Sequence, residues 1–273
     1  MNHIKVKDIL NKYNLKSSYY LFKILKKNNI KIHKIGTPRI IKYNRDKFLN
    51  FYPETIYWFG FIYADGCLLK PRSTYQLQLV LAEKDKNMIE RFIEYFEIEN
   101  LTIKNKIIYN KKTNKKYASC KIILSLDQEI VNFMKYFGII HRKSLVSYYP
   151  AIFDTIENKE SLVKNYIRGV FDGDGGVCLF NKPNSHGKKS NLAISISWLG
   201  NYELLEWMQS QMKSYLDVEH IGKIGKRTNT YGFTWGKKEL TLKFYNWIYD
   251  ENEFCMDRKK EKIKYFIENK TII

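Results

Sequence analysis

The sequence has few of the residues that cross-link a small secreted domain or build a zinc site. Its 273 residues include four cysteines, and no two of them form a C-x-x-C pair. A disulfide framework and a cysteine zinc site are therefore not supported, and a reducing compartment is expected. The five histidines show no metal-ligand spacing either, so histidine-based zinc or nickase chemistry has little support.

Long apolar runs are also missing. No stretch reaches the ~20 apolar residues that a membrane-spanning helix needs, and residues 1–7 lack the apolar core of a signal peptide. These absences predict a soluble intracellular protein with no membrane partner. It would lie in the cytoplasm or nucleoid, or in an organelle matrix if an organelle encodes it.

Negative charge is scarce relative to positive charge. The chain has 47 Lys and Arg against 28 Asp and Glu, which gives a formal net charge of +19. It is also 44% hydrophobic, so it can bury a core and is not disordered as a whole. A basic excess on a folded chain indicates a polyanionic partner. The alternative is a solubility-driven surface, or the Lys, Asn and Ile bias of an AT-rich genome.

Residues 1–50 are interpreted as a separate N-terminal domain. Residues 6–13 and 17–27 both have helical apolar spacing, and a short connection joins them. Two alternating basic segments on either side of residues 36–38 predict a hairpin. Helix, turn, helix and hairpin together resemble a winged helix-turn-helix, which predicts DNA binding by this domain. Many small helical caps share the same loose pattern.

Residues 54–150 and 161–270 follow one plan twice. Each copy starts with an apolar run of helical length and continues with two strands, a helix, two strands and a closing helix. This order predicts an α+β fold with two pseudo-symmetric αββαββα repeats. Each repeat would form a four-stranded antiparallel sheet with helices on one face, and the two sheets together would form a saddle.

The two apolar runs end in nearly the same way. The first reads WFGFIYADG and the second IRGVFDGDG, and their last acids, Asp65 and Asp174, are 174 − 65 = 109 positions apart. Small residues lie four apart in both runs, at Gly60 and Ala64 in the first and at Gly169 and Gly173 in the second. On a helix each pair occupies one face, so the two helices can cross closely.

Such a crossing would bring Asp65 and Asp174 together at two helix C-terminal ends. Those ends carry unpaired carbonyl groups and a partial negative charge, which attract cations. Two carboxylates placed there repel each other unless a divalent cation lies beside them. Oxygen ligands with water suit Mg²⁺, and another divalent cation such as Mn²⁺ is possible. Asp65 and Asp174 are therefore the candidate metal ligands and catalytic acids.

Both runs resemble the LAGLIDADG motif of homing endonucleases. Segments at residues 137–150 and 247–260 also resemble those that close each repeat in this family, so the resemblance covers residues 54–268. It implies a monomeric, Mg²⁺-dependent endonuclease that cuts both strands of duplex DNA across the minor groove at a long, asymmetric site. It does not cover the N-terminal domain.

The resemblance also implies a lysine from each repeat near the scissile phosphates. Lys143 and Lys259 match the two closing segments, and Lys121 on an outward strand face is a further catalytic candidate. Asp172 occupies the earlier acid position of the second motif, where the first motif has Tyr63. Because the first repeat has no acid there, Asp172 is expected to make a helix-end hydrogen bond and not to catalyse.

Four predicted hairpin tips are strongly basic, and polar residues follow the outward strand faces. Tip residues would contact phosphates, whereas strand residues would read bases. The alternative is an ordinary solvated hairpin end. The candidate DNA-binding residues are Lys70, Arg72, Gln76, Gln78, Lys112, Lys116, Lys121, Lys182, Lys188, Lys189, Lys226 and Arg227.

Other functions remain open on the same scaffold. One is a DNA-binding regulator that has lost cleavage, although both motif acids are present. Another is an RNA maturase, because a basic saddle can also hold RNA. An intein is disfavoured, since the sequence begins with Met1 and ends in residues 270–273 without a His-Asn pair.

Overall fold

We analysed a computed structural model of the chain. It describes residues 12–13, 23, 27–28, 41–71, 74–110, 114–141, 143, 148–183, 190–249 and 254–269. The chain divides after Ile40, and both repeats lie in the unit Ile41–Ile273. The predicted winged helix-turn-helix lies almost wholly outside the described residues.

Residues 41–50, which the sequence interpretation assigned to the N-terminal domain, pack with the first repeat. Helix α1 (Arg45–Leu49) begins after Asn44, whose side chain accepts a hydrogen bond from the Lys47 amide. Its Phe48 is fully buried and stacks on Phe96 with ring centroids 3.8 Å apart. This aromatic contact holds residues 41–50 against the first repeat, within the unit Ile41–Ile273.

The first repeat has the predicted order of elements. Its central helix ends at the motif acid, and the first strand starts at the next residue. The elements are α2 (Pro53–Asp65), β1 (Gly66–Leu69), β2 (Tyr75–Ala82), α3 (Lys86–Tyr95), β3 (Lys104–Asn110), β4 (Lys115–Leu126) and α4 (Gln128–Lys135).

The second repeat follows the same order and adds a helix. Helix α8 brings the second closing segment back to the end of the central helix. The elements are α5 (Glu160–Asp174), β5 (Gly176–Pro183), β6 (Ser190–Gly200), α6 (Tyr202–Leu216), β7 (Gly225–Lys226), β8 (Tyr231–Trp235), α7 (Lys238–Ile248) and α8 (Asp257–Asn269).

Both sheets have four antiparallel strands, in the orders β1-β2-β4-β3 and β5-β6-β8-β7. Along β2 the side chains of Leu77 and Leu79 are buried, while the alternate residues point to the uncovered side. We call this uncovered side the open face of each sheet. Its central residues are Gln76, Gln78, Val80, Lys121 and Ile123 in the first sheet, and Ala193, Ser195, Ser197, Leu199 and Thr234 in the second. The predicted α+β architecture and strand alternation are therefore confirmed.

Helices α2 and α5 lie side by side at the centre of this unit. Their side chains Trp58, Phe61, Tyr166 and Phe171 are fully buried and belong to one hydrophobic core. No helix among the described residues combines the length and apolarity needed to cross a membrane.

Candidate active site

The two central helices touch through their backbones. A Cβ atom at Gly60 would lie 2.1 Å from the carbonyl oxygen of Tyr166, and one at Gly169 would lie 2.0 Å from the carbonyl oxygen of Tyr57. Only glycine fits at both positions, because any side chain would overlap the main chain of the partner helix. The close crossing that the small-residue spacing predicted is confirmed.

The same crossing brings the two motif acids to one place. A Cβ atom at Gly173 would lie 2.3 Å from the Cβ of Ala64 and 3.4 Å from the Oδ2 of Asp65. The Asp65 carboxylate therefore lies beside the residue that precedes Asp174. Helices α2 and α5 both end at these acids.

The surroundings of Asp65 and Asp174 disfavour the ionised forms of both carboxyl groups. Burial, together with the negative charge of Asp174, raises the pKa of Asp65 to about 6. Asp174 is more exposed, yet partial desolvation by the surrounding chain raises its pKa as well. Lys143 and Lys259 oppose both shifts. A pair of acids that is costly to ionise is stabilised by any cation placed between them.

The donor set fits a hard divalent cation. No group of three or more His, Cys, Asp or Glu side chains in the described part of the chain has the arrangement of a metal site. The available ligands are therefore the carboxylates of Asp65 and Asp174, with water or phosphate completing the shell. Mg²⁺ commonly keeps several waters and binds through one or two carboxylates, so the pair matches its chemistry.

Lys143 caps the end of the first central helix. Its Nζ donates hydrogen bonds to the carbonyl oxygens of Ile62 and Ala64, both at 3.0 Å, and to that of Tyr63. A positive charge at this position complements the negative end of the helix dipole. Burial lowers the pKa of Lys143 to about 8, and the two motif acids oppose that change.

Lys259 caps the second central helix in the same way. Its Nζ donates to the carbonyl oxygens of Phe171 at 2.6 Å, Asp172 at 2.7 Å and Gly173 at 3.2 Å, and also to Gly175. The residue is 3% exposed, and burial lowers its pKa to about 8. The structure thus places both predicted lysines beside the acids, where helix-end carbonyls hold their charged groups.

Asp172 has the non-catalytic contacts that were expected. Its fully buried carboxylate accepts hydrogen bonds from the Tyr57 hydroxyl at 3.0 Å, the Tyr249 hydroxyl at 3.1 Å and the Met256 amide at 2.7 Å. It therefore ties the first central helix and the closing segment to the second helix. At the matching position of the first repeat, the Tyr63 hydroxyl accepts a hydrogen bond from the Asn201 side chain at 2.8 Å.

Lys121 belongs to the open face and does not cap a helix. It pairs with Val80 on one side and with Lys104 on the other. Its strand, β4, is the second strand from β1 in the sheet order, about 10 Å away at the usual spacing of strands. Lys104 and Lys106 are exposed on the same face, and the sequence interpretation missed them. The period-two alternation of β3 could have identified them.

The remaining DNA-binding candidates divide between the two faces. Gln76, Gln78 and Lys182 lie on open-face positions of their strands. The Arg227 Nε is 3.5 Å from the point that a Cβ at Gly232 would take, which places this side chain over the second open face.

Lys116 and Lys226 are exposed but pair with Tyr109 and Tyr231, on the opposite side of their strands from the open face. Strand alternation therefore separates them from the open-face candidates. Lys70 is exposed, with its Nζ 4.9 Å from the Tyr75 ring centroid. The other candidates, Arg72, Lys112, Lys188 and Lys189, lie outside the described residues.

Comparisons with known proteins identify the fold. No protein-family model matches the chain. Uncharacterized protein MJ0314 of Methanocaldococcus jannaschii is 31% identical over 165 residues, which are 59% of this chain and 56% of that protein. The match therefore spans little more than half of the curated relative.

Several solved structures are similar over most of the chain. The LAGLIDADG meganuclease I-AabMI bound to uncleaved DNA has a TM-score of 0.50 at 14% identity, with 80% of this chain and 90% of that chain covered. The LAGLIDADG homing endonuclease I-SmaMI bound to cleaved DNA has a TM-score of 0.52 at 11% identity, with 78% and 87% covered. The protein therefore has the two-motif LAGLIDADG fold, as the sequence motifs predicted.

Proposed function

We propose that this protein is a site-specific endonuclease that cuts both strands of duplex DNA with a divalent cation held by Asp65 and Asp174. The observation that carries the proposal is the meeting of these two acids at the ends of two touching helices. Two lysines flank the acids, and two partly basic open faces extend from the same region. The similar proteins I-AabMI and I-GzeII were solved with DNA, which supports the same class of partner here.

Each part of the site has a defined task in this proposal. Asp65 and Asp174 would hold the cation, which when bound activates water and polarises the phosphate. Lys143 and Lys259 fix positive charge beside the acids, where negative charge builds up on the phosphate in the transition state. Mg²⁺ is the cation proposed, and Mn²⁺ is an expected substitute.

The target is proposed to be long and asymmetric because the two repeats present different side chains on their open faces. A single chain carries both repeats, so the protein would act as a monomer. Residues 1–50, with the boundary moved towards Ile40, would add further DNA contacts.

Cleavage of a randomised plasmid library in Mg²⁺ tests the proposal. We expect double-strand breaks at one class of site, and loss of cleavage with retained binding in Asp65→Asn and Asp174→Asn. Asp154→Asn is the matched control, because Asp154 is an exposed acid that forms a 3.8 Å ion pair with Lys159. Full cleavage by either site variant would refute the two-acid assignment. Binding without any cleavage by the unmodified protein would favour a regulator.

A further inference from the structure

The second closing segment lies between the two repeats at residues 254–259, which include the start of α8. The Lys259 side chain reaches the carbonyl end of α5 in the second repeat. The Phe254, Asp257 and Arg258 side chains contact the first repeat instead. This stretch therefore carries a lysine of one half of the site while it packs on the other half of the protein.

Aromatic packing places the start of this stretch against the first repeat. The Phe254 ring lies among three rings of α2 and α3, with centroid distances of 6.5 Å to Tyr57, 6.0 Å to Trp58 and 5.7 Å to Tyr95. Aromatic pairs at such distances attract each other beyond the effect of the area they bury. The position of Phe254 is thus set by the first repeat, although the residue belongs to the second.

Arg91 of α3 holds the next part of the stretch. Its Nη1 donates to the Cys255 carbonyl oxygen at 3.0 Å, and its Nη2 donates to the Asp257 carboxylate at 3.0 Å. A guanidinium donates in a fixed planar fork, so two bonds fix an orientation as well as a distance. At the matching position of the first closing segment, two residues before its lysine, the His141 Nδ1 donates to the Leu68 carbonyl oxygen of its own repeat at 3.0 Å. At this position the contact across the repeats is therefore specific to the second segment.

Asp85 of the first repeat makes a two-bond ion pair with Arg258. The Arg258 Nε donates to Oδ1 at 2.8 Å and its Nη2 donates to Oδ2 at 3.1 Å, and the Asp85 side chain is buried. Asp85 occupies the N-cap position of α3, where an aspartate usually accepts a hydrogen bond from the amides of its own helix. It makes no such bond here. Both oxygens of Asp85 thus bind a residue of the other repeat, at the expense of a helix cap.

These contacts fix the direction of the Lys259 side chain. Asp257, Arg258 and Lys259 are the first three residues of α8, and successive side chains of an α-helix point about 100° apart. Because the first two side chains are held on the first repeat, the rotation of this turn is fixed. The Lys259 side chain is then directed back to α5, where its Nζ lies within 3.2 Å of three helix-end carbonyl oxygens.

The Asp85–Arg258 pair also affects the charge of Lys259. Burial lowers the pKa of Lys259 to about 8, and the positive charge of the neighbouring Arg258 adds to this shift. The Asp85 carboxylate neutralises that guanidinium. Loss of the Asp85 charge would therefore disfavour the protonated form of Lys259 and would also release its direction.

We infer that Asp85 and Arg91 of the first repeat are positioning residues for Lys259 of the second, so that cleavage of one DNA strand depends on contacts made across the two repeats. This inference rests on the proposed function, in which each lysine serves one scissile phosphate. Asp85 and Arg91 do not touch the DNA in this account and act only through the residues around Lys259.

Single-turnover cleavage of a duplex labelled separately on its two strands tests the inference, with the full chain, Mg²⁺ and a site obtained from the plasmid library. Asp85→Asn should slow one strand by about 10- to 100-fold, the range expected when a group at the site is misplaced by up to about 1 Å, so nicked duplex accumulates. Arg91→Gln should slow the same strand, whereas Lys143→Met should slow the opposite one. Retention of the duplex in Ca²⁺ should be unchanged in Asp85→Asn. Adding Arg258→Gln to Asp85→Asn should cause no further loss, because the two residues act as one pair.

Glu90→Gln is the matched control, because Glu90 is an exposed acid of α3 that pairs with Lys86 of the same helix at 2.8 Å. It should leave both strand rates unchanged. A less stable fold slows both strands alike, so the ratio of the two rates separates positioning from folding. Equal slowing of both strands in Asp85→Asn, or slowing of the same strand as in Lys143→Met, would overturn the inference while leaving the proposed function in place. Absence of cleavage by the unmodified protein would overturn the proposed function itself.

Discussion

Asp65 has a carboxyl group that resists ionisation in the folded chain. Burial and the neighbouring Asp174 raise its pKa to about 6, compared with about 3.9 for an unperturbed aspartate. The folded protein therefore holds a proton at pH values where the unfolded chain has lost it. Stability from this group is fully present below the unfolded pKa and is lost as the pH rises through about 6.

Replacing Asp65 with Asn removes this penalty. Without metal at neutral pH, Asp65→Asn should be more stable than the unmodified protein by about 1–3 kcal/mol, and the difference should vanish near pH 4. Urea unfolding at several pH values measures it. Mg²⁺ should raise the stability of the unmodified protein and have a smaller effect on the variant. A pH-independent difference, or one equal to that of Asp154→Asn, would contradict this account.

The two capping lysines differ in burial, so their loss should differ in cost. Lys259 is 3% exposed and lies beside the buried Asp172, whose charge helps to keep it protonated. Lys143 is only half-buried. The first repeat has the neutral Tyr63 at the position where the second repeat has Asp172, so Lys143 has no matching buried carboxylate beside it among the described residues.

Lys259→Met should therefore destabilise the fold by about 3 kcal/mol or more, because it leaves a buried carboxylate without its cation. Lys143→Met should cost about 1–2 kcal/mol, since it removes helix-end hydrogen bonds and a positive charge beside Asp65 and Asp174, which are less buried than Asp172. Thermal unfolding compares the two variants. The control is Lys262→Met, because Lys262 is an exposed lysine on α8, the helix that also carries Lys259. Equal costs for the two capping lysines would show that Asp172 does not act as the counter-ion.

At the scale of elements, the crossing of α2 and α5 depends on two glycines. A methyl group at Gly169 would overlap the Tyr57 carbonyl at 2.0 Å, and helix backbones cannot move apart without opening the core. Gly169→Ala should therefore cost about 3 kcal/mol or more. Gly225→Ala is the control, because nothing lies within 4 Å of its added Cβ. Denaturant titration of both variants measures the contrast, and similar midpoints would refute the close crossing.

The sequence could predict this crossing because its cause is local to each helix. Four-residue spacing of small residues and a terminal Asp-Gly are visible in each run, and the period-two pattern of β2 places Gln76 and Gln78 on one face. The role of Lys259 as a cap was not predictable, because its partner Phe171 is 88 positions away. Likewise, the packing of Phe48 on the first repeat was not predictable, because its burial depends on the distant Phe96.

At the scale of the whole molecule, duplication explains both the likeness and the difference of the two halves. The shared αββαββα plan brings one acid and one lysine from each repeat to a common site. The open faces begin next to that site and extend away from it along the strands, so their outer positions can carry different side chains in the two repeats. A duplicated fold can therefore keep one chemistry while reading an asymmetric sequence.

The net charge of +19 predicts how affinity depends on salt. A protein that neutralises about 6–10 phosphates loses about 10³- to 10⁵-fold in affinity between about 50 and 200 mM salt, because bound counterions are released from the DNA. We expect a slope in this range for the full chain on its selected site. Lys182→Met, an exposed open-face change, should lower the slope by about one contact, whereas Gln78→Ser should leave the slope unchanged and alter base preference. A salt-independent affinity would show that the basic surface does not face the DNA backbone. An equal change of slope in Lys182→Met and Gln78→Ser would show that lysine and glutamine do not divide phosphate contact and base reading between them.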